Sequence, residues 1–242
     1  MKANNWRDDL LKDGYAFFHN LTPEPLVMAV RQAIERDLHE HYDLARQMEY
    51  DYQSYCPDLR GAPVITALLR RSLISNIIEE ALGWDNINYD GGQIAIRRAH
   101  NSDRIVPPWP HLDGIPTEFN GLYGDEISNF TALVGVFLTK TPRAFAGNFT
   151  VWPGSHLLYE RYFRQRGRRA MREGMPAIEV GAPVQLMCDA GDVVLCHYQL
   201  GHNAAVNTSD IERQAIYFRI WLRDMDEHRW HRLTHIWDGW KI

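Results

Sequence analysis

The sequence predicts a mainly β domain, a sandwich or barrel of short strands with a helical part in front of it. Up to about residue 85, apolar residues recur every three to four positions behind helix-start signals. From about residue 86 to 242, short apolar runs alternate with turns rich in Gly, Pro and Asn. No Pro-, Gly- or Ser-rich linker divides the chain, so residues 1–242 are predicted to form a single domain.

The helical part contains two predicted helices behind a short predicted strand at residues 14–18. The first helix begins at Thr22, a good N-cap residue, followed by Pro23 at the first helical position. The second helix is predicted over residues 63–82. The apolar stripes are Leu26, Val30 and Ile34 in the first helix and Leu69, Leu73 and Ile77 in the second.

The β part is predicted from short apolar runs that are bounded by turn residues. The predicted strands cover residues 93–97, 132–138, 149–152, 184–187, 192–198 and 214–222. Between the third and fourth of these strands, residues 159–174 form an insertion rich in arginine. Arginines interleaved with glutamates on a helix are typical of a solvated face; a lid that attracts an acidic substrate is the alternative.

Composition and charge narrow the class of protein. The chain is 45% hydrophobic and carries a formal net charge of −5, which argues against nucleic acid or an anionic membrane as the main partner. No apolar run is long enough to span a membrane, and the N-terminus has no signal core. The three cysteines lack metal-site spacing, which indicates reduced thiols and predicts a cytoplasmic protein.

The most specific chemical feature is the sequence Pro110-His111-Leu112-Asp113-Gly114. In a strand, residues i and i+2 point to the same face, so His111 and Asp113 would present an imidazole and a carboxylate to one ion. His-x-Asp alone is a weak signal, because short motifs have a high false-positive rate. The motif indicates a metal site only if the chain also offers a third ligand.

A second histidine, His202, follows the predicted strand that ends near Tyr198. Two histidines and one carboxylate on one face of an octahedral ion leave three positions open, as in non-haem Fe(II) oxygenases. A structural zinc ion is instead closed by four ligands, usually with sulfur among them, and the cysteines here do not offer that. The residues therefore predict an iron site of His111, Asp113 and His202.

Arg213 lies eleven residues after His202 (213 − 202), beyond a turn at residues 207–210. The two residues are predicted to be close on neighbouring antiparallel strands. A guanidinium binds a carboxylate through two parallel hydrogen bonds, which is what the far end of a dicarboxylic cosubstrate needs. Along the same strand, Tyr217 and Arg219 are predicted to share the face of Arg213.

With these residues in place, the chain resembles the phytanoyl-CoA dioxygenase-like family of Fe(II)- and 2-oxoglutarate-dependent oxygenases. The matching segments are residues 13–15 with the helix at 22–40, residues 110–114, residues 151–156 (Val-Trp-Pro-Gly-Ser-His), and residues 191–195 leading to His202 and Arg213. The resemblance implies a double-stranded β-helix, that is, a cupin-like jelly roll over about residues 86–242, flanked by helices.

The resemblance also implies the cofactors and the roles of individual residues. Fe(II) would be held by the predicted ligands, 2-oxoglutarate would be anchored by Arg213, and O₂ would complete the reaction, with release of succinate and CO₂. Gln93 and Thr131 would make further contacts with the cosubstrate. Asp113 favours hydroxylation or a similar oxidation over halogenation. Ala204 is a departure, because many members carry a serine there that supports the cosubstrate.

Two matters stay open at this point. The substrate is predicted to be a small molecule, with an acidic one favoured if the arginine-rich segment is a lid; the side chain of another protein is an alternative substrate. A cupin-like protein that binds a ligand without chemistry is an alternative function. A zinc hydrolase is disfavoured because no His-Glu-x-x-His motif is present. The C-terminal Trp230, Trp237 and Trp240 favour internal packing or a homodimer contact over stacking on substrate.

Overall fold

The computed structural model describes residues 5–99, 105–116 and 122–242, and its strands form two antiparallel sheets. The larger sheet has the order β1-β7-β4-β9-β2, and β3 also pairs with β9. The smaller sheet has the order β6-β5-β8. The strands are β1 (Tyr15–Phe18), β2 (Ile87–Asn88), β3 (Gly92–Arg97), β4 (Ala132–Phe137), β5 (Phe149–Val151), β6 (Val184–Gln185), β7 (Val193–His197), β8 (His202–Ala204) and β9 (Arg213–Leu222).

The larger sheet is buried on both faces, and alternate residues of each strand face different cores. In β4, Val134 and Val136 pack against the helices, whereas Leu133 and Phe137 pack toward the smaller sheet. This alternation follows from the two-residue period of a strand. The predicted mainly β architecture with flanking helices is therefore confirmed, and the site described below lies between the two sheets.

Among the described residues, five α-helices precede β2 and two more lie later in the sequence. The first group is α1 (Trp6–Asp13), α2 (Glu24–His41), α3 (Gln47–Tyr52), α4 (Pro63–Arg70) and α5 (Ile74–Ala81). The second group is α6 (Ser155–Arg166) and α7 (Met225–Thr234). Within the described residues, no helix combines the length and the apolar character needed to cross a membrane.

Two predictions about the helical part were wrong in detail. The helix predicted over residues 63–82 is two helices, α4 and α5, and Leu73 at the break is 59% exposed rather than buried. At the break the Ser72 hydroxyl donates to the Leu68 carbonyl at 2.6 Å, a local bond that competes with the helical ladder. The N-cap of α2 is Pro23, and the Thr22 hydroxyl caps nothing, because the helix begins one residue later than its sequence signal.

The arginine-rich insertion is helical, as predicted. It consists of α6 and a 3₁₀ segment at Gly167–Glu173. Arg164 pairs with Glu160 at 2.7 Å, and Arg166 pairs with Glu173 at 2.6 Å. These pairs favour the solvated-face interpretation over a lid. The sequence did not predict β2, β8, α1, α3 or α7.

Two buried histidines connect the N-terminal part to the C-terminus. Nε2 of His156 lies 3.2 Å from the Leu11 carbonyl oxygen. The buried Nδ1 of His156 has no hydrogen-bond partner in the described part of the chain. His197 donates from Nε2 to the Ile236 carbonyl at 2.8 Å, and its Nδ1 accepts from the Gln199 amide at 3.0 Å. Trp237 and Trp240 pack against His197, which confirms internal packing as the role of these tryptophans.

These histidines predict acid instability. Burial lowers the pKa of His156 to about 4 and the pKa of His197 to about 3. As the pH falls from 6.5 toward 4, the unfolded chain takes up protons at these two positions that the folded chain does not. The free energy of unfolding should therefore fall by about 1.4 kcal/mol per pH unit for each histidine. Urea denaturation between pH 7 and pH 4 measures this slope.

The matched variants are His156→Gln and, at an exposed position, His39→Gln. The first should remove about a third of the histidine contribution to the wild-type pH slope, since burial also lowers the pKa of His202 to about 4 and that residue contributes as well. The second should leave the slope unchanged. If His156→Gln and wild type show the same slope, the buried histidine is not the cause of the acid instability.

Candidate metal and cosubstrate site

His111 and His202 are brought together by their own backbones. His111 forms an isolated bridge with His202, with N–O distances of 3.1 and 3.2 Å in the two directions. The bridge extends the smaller sheet beyond β8 and sets the two imidazole centroids 4.5 Å apart. Two residues that are 91 positions apart (202 − 111) are thereby fixed side by side.

Asp113 reaches the same point from a turn rather than from a strand. The Tyr198 hydroxyl donates to the Asp113 carbonyl at 2.8 Å, and the Ser128 amide donates to the Gly114 carbonyl at 3.0 Å. Gly114 has φ of +68°, and a Cβ there would lie 2.1 Å from the Ser128 oxygen, so the turn requires glycine. The prediction that a strand presents His111 and Asp113 was wrong in mechanism, but the two side chains do share one face.

The distances suit one metal ion. Oδ1 of Asp113 lies 3.4 Å from Nε2 of His111 and 3.8 Å from Nε2 of His202. One ligand atom from each of the three residues lies within 4.8 Å of the others. Two ligands about 2.1 Å from an ion at right angles would be about 3 Å apart, so the pairs with Asp113 need to close by less than about 1 Å and no pair by more than about 2 Å.

The donor set fits Fe(II) better than a closed zinc site. Within the described ranges, no fourth histidine, cysteine or carboxylate joins the cluster. Three ligands on one side leave the other positions of an octahedral ion for cosubstrate and O₂. The exposed fraction of the side chain is 40% for His111 but 9% for His202, so the open side of the cluster faces solvent beside His111.

His202 is held in the tautomer that a metal ligand needs. Its Nδ1 donates to the Leu200 carbonyl at 3.0 Å, which leaves the lone pair on Nε2. Burial, reinforced by the neighbouring His111, lowers the pKa of His202 to about 4. The ring is therefore neutral at pH 7 and able to bind a cation.

Asp113 is ionised despite its burial. Burial on its own raises the pKa of a carboxyl group, but the Arg219 guanidinium and the two imidazoles outweigh it and hold the pKa of Asp113 well below its usual value. Arg219 contacts Oδ2 alone, with Nε at 2.9 Å and Nη2 at 2.7 Å. Oδ1 stays directed at the histidines.

Arg213 is a fully buried cation at the start of β9, with 1% of its surface exposed. Its Nε donates to the Gly147 carbonyl at 2.8 Å and its Nη1 to the Ala95 carbonyl at 3.0 Å. Over residues 5–99, 105–116 and 122–242, the structure records no carboxylate paired with it, and burial lowers its pKa. A buried cation without an anion is a site where an anionic ligand binds favourably.

Aromatic rings connect the metal ligand His202 to β9, the strand that carries Arg213. The Phe149 ring lies 5.6 Å from the His202 ring and 5.3 Å from the Tyr217 ring. Tyr217 lies on the Arg213 face of β9, and its buried hydroxyl has no partner in the described segments. The prediction that His202 and Arg213 lie on neighbouring strands was wrong, because β8 pairs with β5 in the smaller sheet, whereas β9 pairs with β3 and β4 in the larger sheet.

The structure gives Gln93 and Thr131 protein partners. Gln93 donates from Nε2 to the Gln53 carbonyl at 2.5 Å and accepts from Nη1 of Arg219 at 2.8 Å. The Thr131 hydroxyl accepts from the Leu222 amide at 3.2 Å. Their contact with a cosubstrate stays a prediction. Ala204 ends β8, where it pairs with Phe149, and offers no hydroxyl.

Arg219 and Tyr198 belong to the site but were not predicted as site residues. The sequence did place Arg219 on the Arg213 face of β9, and the register of β9 with β4 confirms that, because Arg219 pairs with Leu133, which packs toward the smaller sheet. The sequence could not predict that Arg219 contacts Asp113, because the two residues are 106 positions apart. Contacts of this range depend on the tertiary fold, which local periodicity does not encode.

Solved structures with this fold include non-haem enzymes that depend on 2-oxoglutarate or were solved with it bound. The carbocyclase SnoK from nogalamycin biosynthesis has a TM-score of 0.59 and 19% identity, over 94% of this chain and 90% of that chain. HygX from Streptomyces hygroscopicus, solved with nickel, 2-oxoglutarate and hygromycin B, has a TM-score of 0.60 and 14% identity, over 90% and 87%. At these identities the likeness establishes the jelly-roll fold.

The family assignment comes from the sequence itself. The model of the phytanoyl-CoA dioxygenase family (PhyH) matches residues 10–215, which is most of the chain. No curated protein matches the chain at a significant level. The chain therefore belongs to the phytanoyl-CoA dioxygenase family and is an Fe(II)- and 2-oxoglutarate-dependent oxygenase.

Proposed function

We propose that this oxygenase binds Fe(II) through His111, Asp113 and His202, and the distal carboxylate of 2-oxoglutarate through Arg213. The observation that carries the proposal is the convergence of two imidazoles and one carboxylate within 4.8 Å. The buried cation on β9 supports the cosubstrate role. Two long-range strand pairings, β5 with β8 and β3 with β9, bring these groups together.

The bound metal, 2-oxoglutarate and O₂ together supply the oxidising chemistry, with release of succinate and CO₂. The chain positions these groups and keeps water away. His202 stays neutral and presents Nε2, while Asp113 contributes one negative charge to the cation. Arg213 gives the distal carboxylate charge-assisted hydrogen bonds that fix its orientation. The Phe149 and Tyr217 rings pack beside His202 and keep water from that side of the cluster.

The substrate is proposed to be a small molecule with an acidic group. The neighbour HygX was solved with hygromycin B, and the epimerase SnoN with nogalamycin RO, and this supports a small molecule. Arg97 is partly exposed on β3, beside Arg213 in the register, and supports an acidic group because its ion pair with Asp51 is long, at 3.9 Å. The arginine-rich α6 supports it less, because Arg164 and Arg166 already have carboxylate partners.

The working compartment is proposed to be the cytoplasm. Three free, buried cysteines, Cys56, Cys188 and Cys196, support a reducing environment. Burial raises the pKa of the Cys188 thiol to about 12, so this side chain is not reactive at neutral pH. A homodimer stays a prediction, and the C-terminal tryptophans do not support it, since Trp237 and Trp240 pack inside the protomer.

The test is turnover with Fe(II), 2-oxoglutarate, O₂ and a pool of acid-bearing metabolites. Wild type should form succinate and give a product that has gained one oxygen atom or lost two hydrogens, read by mass spectrometry. His111→Ala should give neither product. Binding of 2-oxoglutarate without succinate formation under all conditions would contradict catalysis and favour a non-catalytic ligand-binding protein.

A further inference from the structure

Arg219 makes an unusual contact with the metal-ligand carboxylate. A guanidinium facing a carboxylate often bonds both oxygens in a fork. Here Nε and Nη2 converge on the same oxygen, Oδ2 of Asp113, at 2.9 and 2.7 Å. Oδ1 is left facing the two imidazoles, 3.4 Å from Nε2 of His111 and 3.8 Å from Nε2 of His202.

The Arg219 guanidinium is itself held in place from the far side. Its Nη1 donates to Oε1 of Gln93 at 2.8 Å, and Gln93 is tied by Nε2 to the Gln53 carbonyl at 2.5 Å. The guanidinium carbon also lies 5.8 Å from the centroid of the Phe130 ring. A chain of contacts thus runs from the Gln53 backbone to one oxygen of the ligand carboxylate.

This arrangement controls how many oxygens Asp113 can give to a metal. Carboxylates bind metal ions through one oxygen or through both. Binding through both would occupy one of the three positions that a His₂-carboxylate site leaves open. We propose that Arg219, supported by Gln93, is a positioning residue that restricts Asp113 to Oδ1 and so keeps a coordination position free for 2-oxoglutarate and O₂. The inference rests on the proposed function of the His-Asp-His cluster.

The competing explanation is that Arg219 only neutralises the charge of Asp113. The substitution Arg219→Lys distinguishes this explanation from positioning. Lysine keeps the positive charge but is a point charge, without the planar pair of donors that holds one oxygen. If neutralisation is the whole role, Arg219→Lys should behave like wild type. If positioning is the role, Arg219→Lys and Arg219→Met should fail in the same way, and Gln93→Ala should show a weaker form of that failure.

The experiment uses Co(II) as the metal probe in the full-length protein. Calorimetry measures Co(II) affinity, the visible spectrum reports the coordination number of Co(II), and a second titration measures 2-oxoglutarate affinity of the Co(II)-loaded protein. Arg219→Lys should still bind Co(II), because the freed second oxygen of Asp113 compensates for the lost outer contact, and its visible spectrum should change because that oxygen replaces water at one open position. Its 2-oxoglutarate affinity should fall by about 10-fold or more, because the keto-acid end must then displace a protein oxygen, rather than water, from the metal.

Arg223→Met is the matched control, because Arg223 is exposed and directly follows Leu222, the last residue of β9. It should leave all three readouts unchanged. A wild-type spectrum and wild-type 2-oxoglutarate affinity in Arg219→Lys would overturn the inference. Loss of Co(II) binding in a folded Arg219→Lys would also overturn it, because the arginine would then be needed for ligation itself. Failure of the wild type to bind Co(II) would instead contradict the proposed function.

Discussion

Replacing Asp113 or His202 by alanine is expected to abolish metal binding and turnover. Each substitution removes one of three ligands, and Asp113 is also the only carboxylate that the described residues bring to the cluster. Losing an outer contact to a metal ligand already costs about 10- to 100-fold in metal affinity, so losing a ligand should cost more than about 100-fold. Co(II) titration and succinate formation measure the two effects.

Asp113→Asn tests whether charge or shape matters at this position. The amide keeps the shape of the side chain but loses the negative charge that neutralises part of the metal ion, so we expect affinity between wild type and Asp113→Ala. Asp58→Ala, at an exposed position in the helical part, is the control and should bind Co(II) normally. Normal Co(II) affinity in Asp113→Ala would remove Asp113 from the metal site.

Replacing Arg213 by methionine is expected to weaken 2-oxoglutarate binding while leaving metal binding in place. The substitution removes the buried cation that would face the distal carboxylate. Truncating one partner of a buried charge pair costs about 2–4 kcal/mol, which is roughly 30- to 1,000-fold in affinity. The measurement is 2-oxoglutarate titration of the Co(II)-loaded variant.

Arg213→Lys is the companion variant. It keeps the charge but loses the planar donors that also serve the Gly147 and Ala95 carbonyls, so its affinity should fall less than that of Arg213→Met. Co(II) binding in both variants shows that the fold is intact. Unchanged 2-oxoglutarate affinity in a folded Arg213→Met protein would place the cosubstrate anchor elsewhere.

The sequence predicted the parts of the site that follow from strand periodicity and motif spacing. A strand alternates its faces, so the ten residues of β9 place Arg213, Tyr217 and Arg219 together without any knowledge of the partner strands. The combination of His-x-Asp, a later histidine and an arginine beyond a short turn predicted the metal cluster. The structure brings the three predicted ligands within reach of one ion.

The sequence could not predict what depends on long-range packing. The three residues of β8 carry no periodic signal, and their strand exists because it pairs with β5 and His111. The break between α4 and α5 lies where the Ser72 hydroxyl bonds back to the Leu68 carbonyl, a contact that the apolar pattern does not show. Gln93 was predicted to contact the cosubstrate, but only the tertiary fold shows that its amide supports Arg219.

The most direct test of the central claim is a titration of 2-oxoglutarate into the wild-type protein with and without Co(II). One shared site, in which the keto acid meets the metal and Arg213 holds the far carboxylate, predicts much tighter binding in the presence of the metal. By linkage, 2-oxoglutarate should raise the affinity for Co(II) by the same factor. Equal 2-oxoglutarate affinity in the two states would contradict a site in which these residues act together.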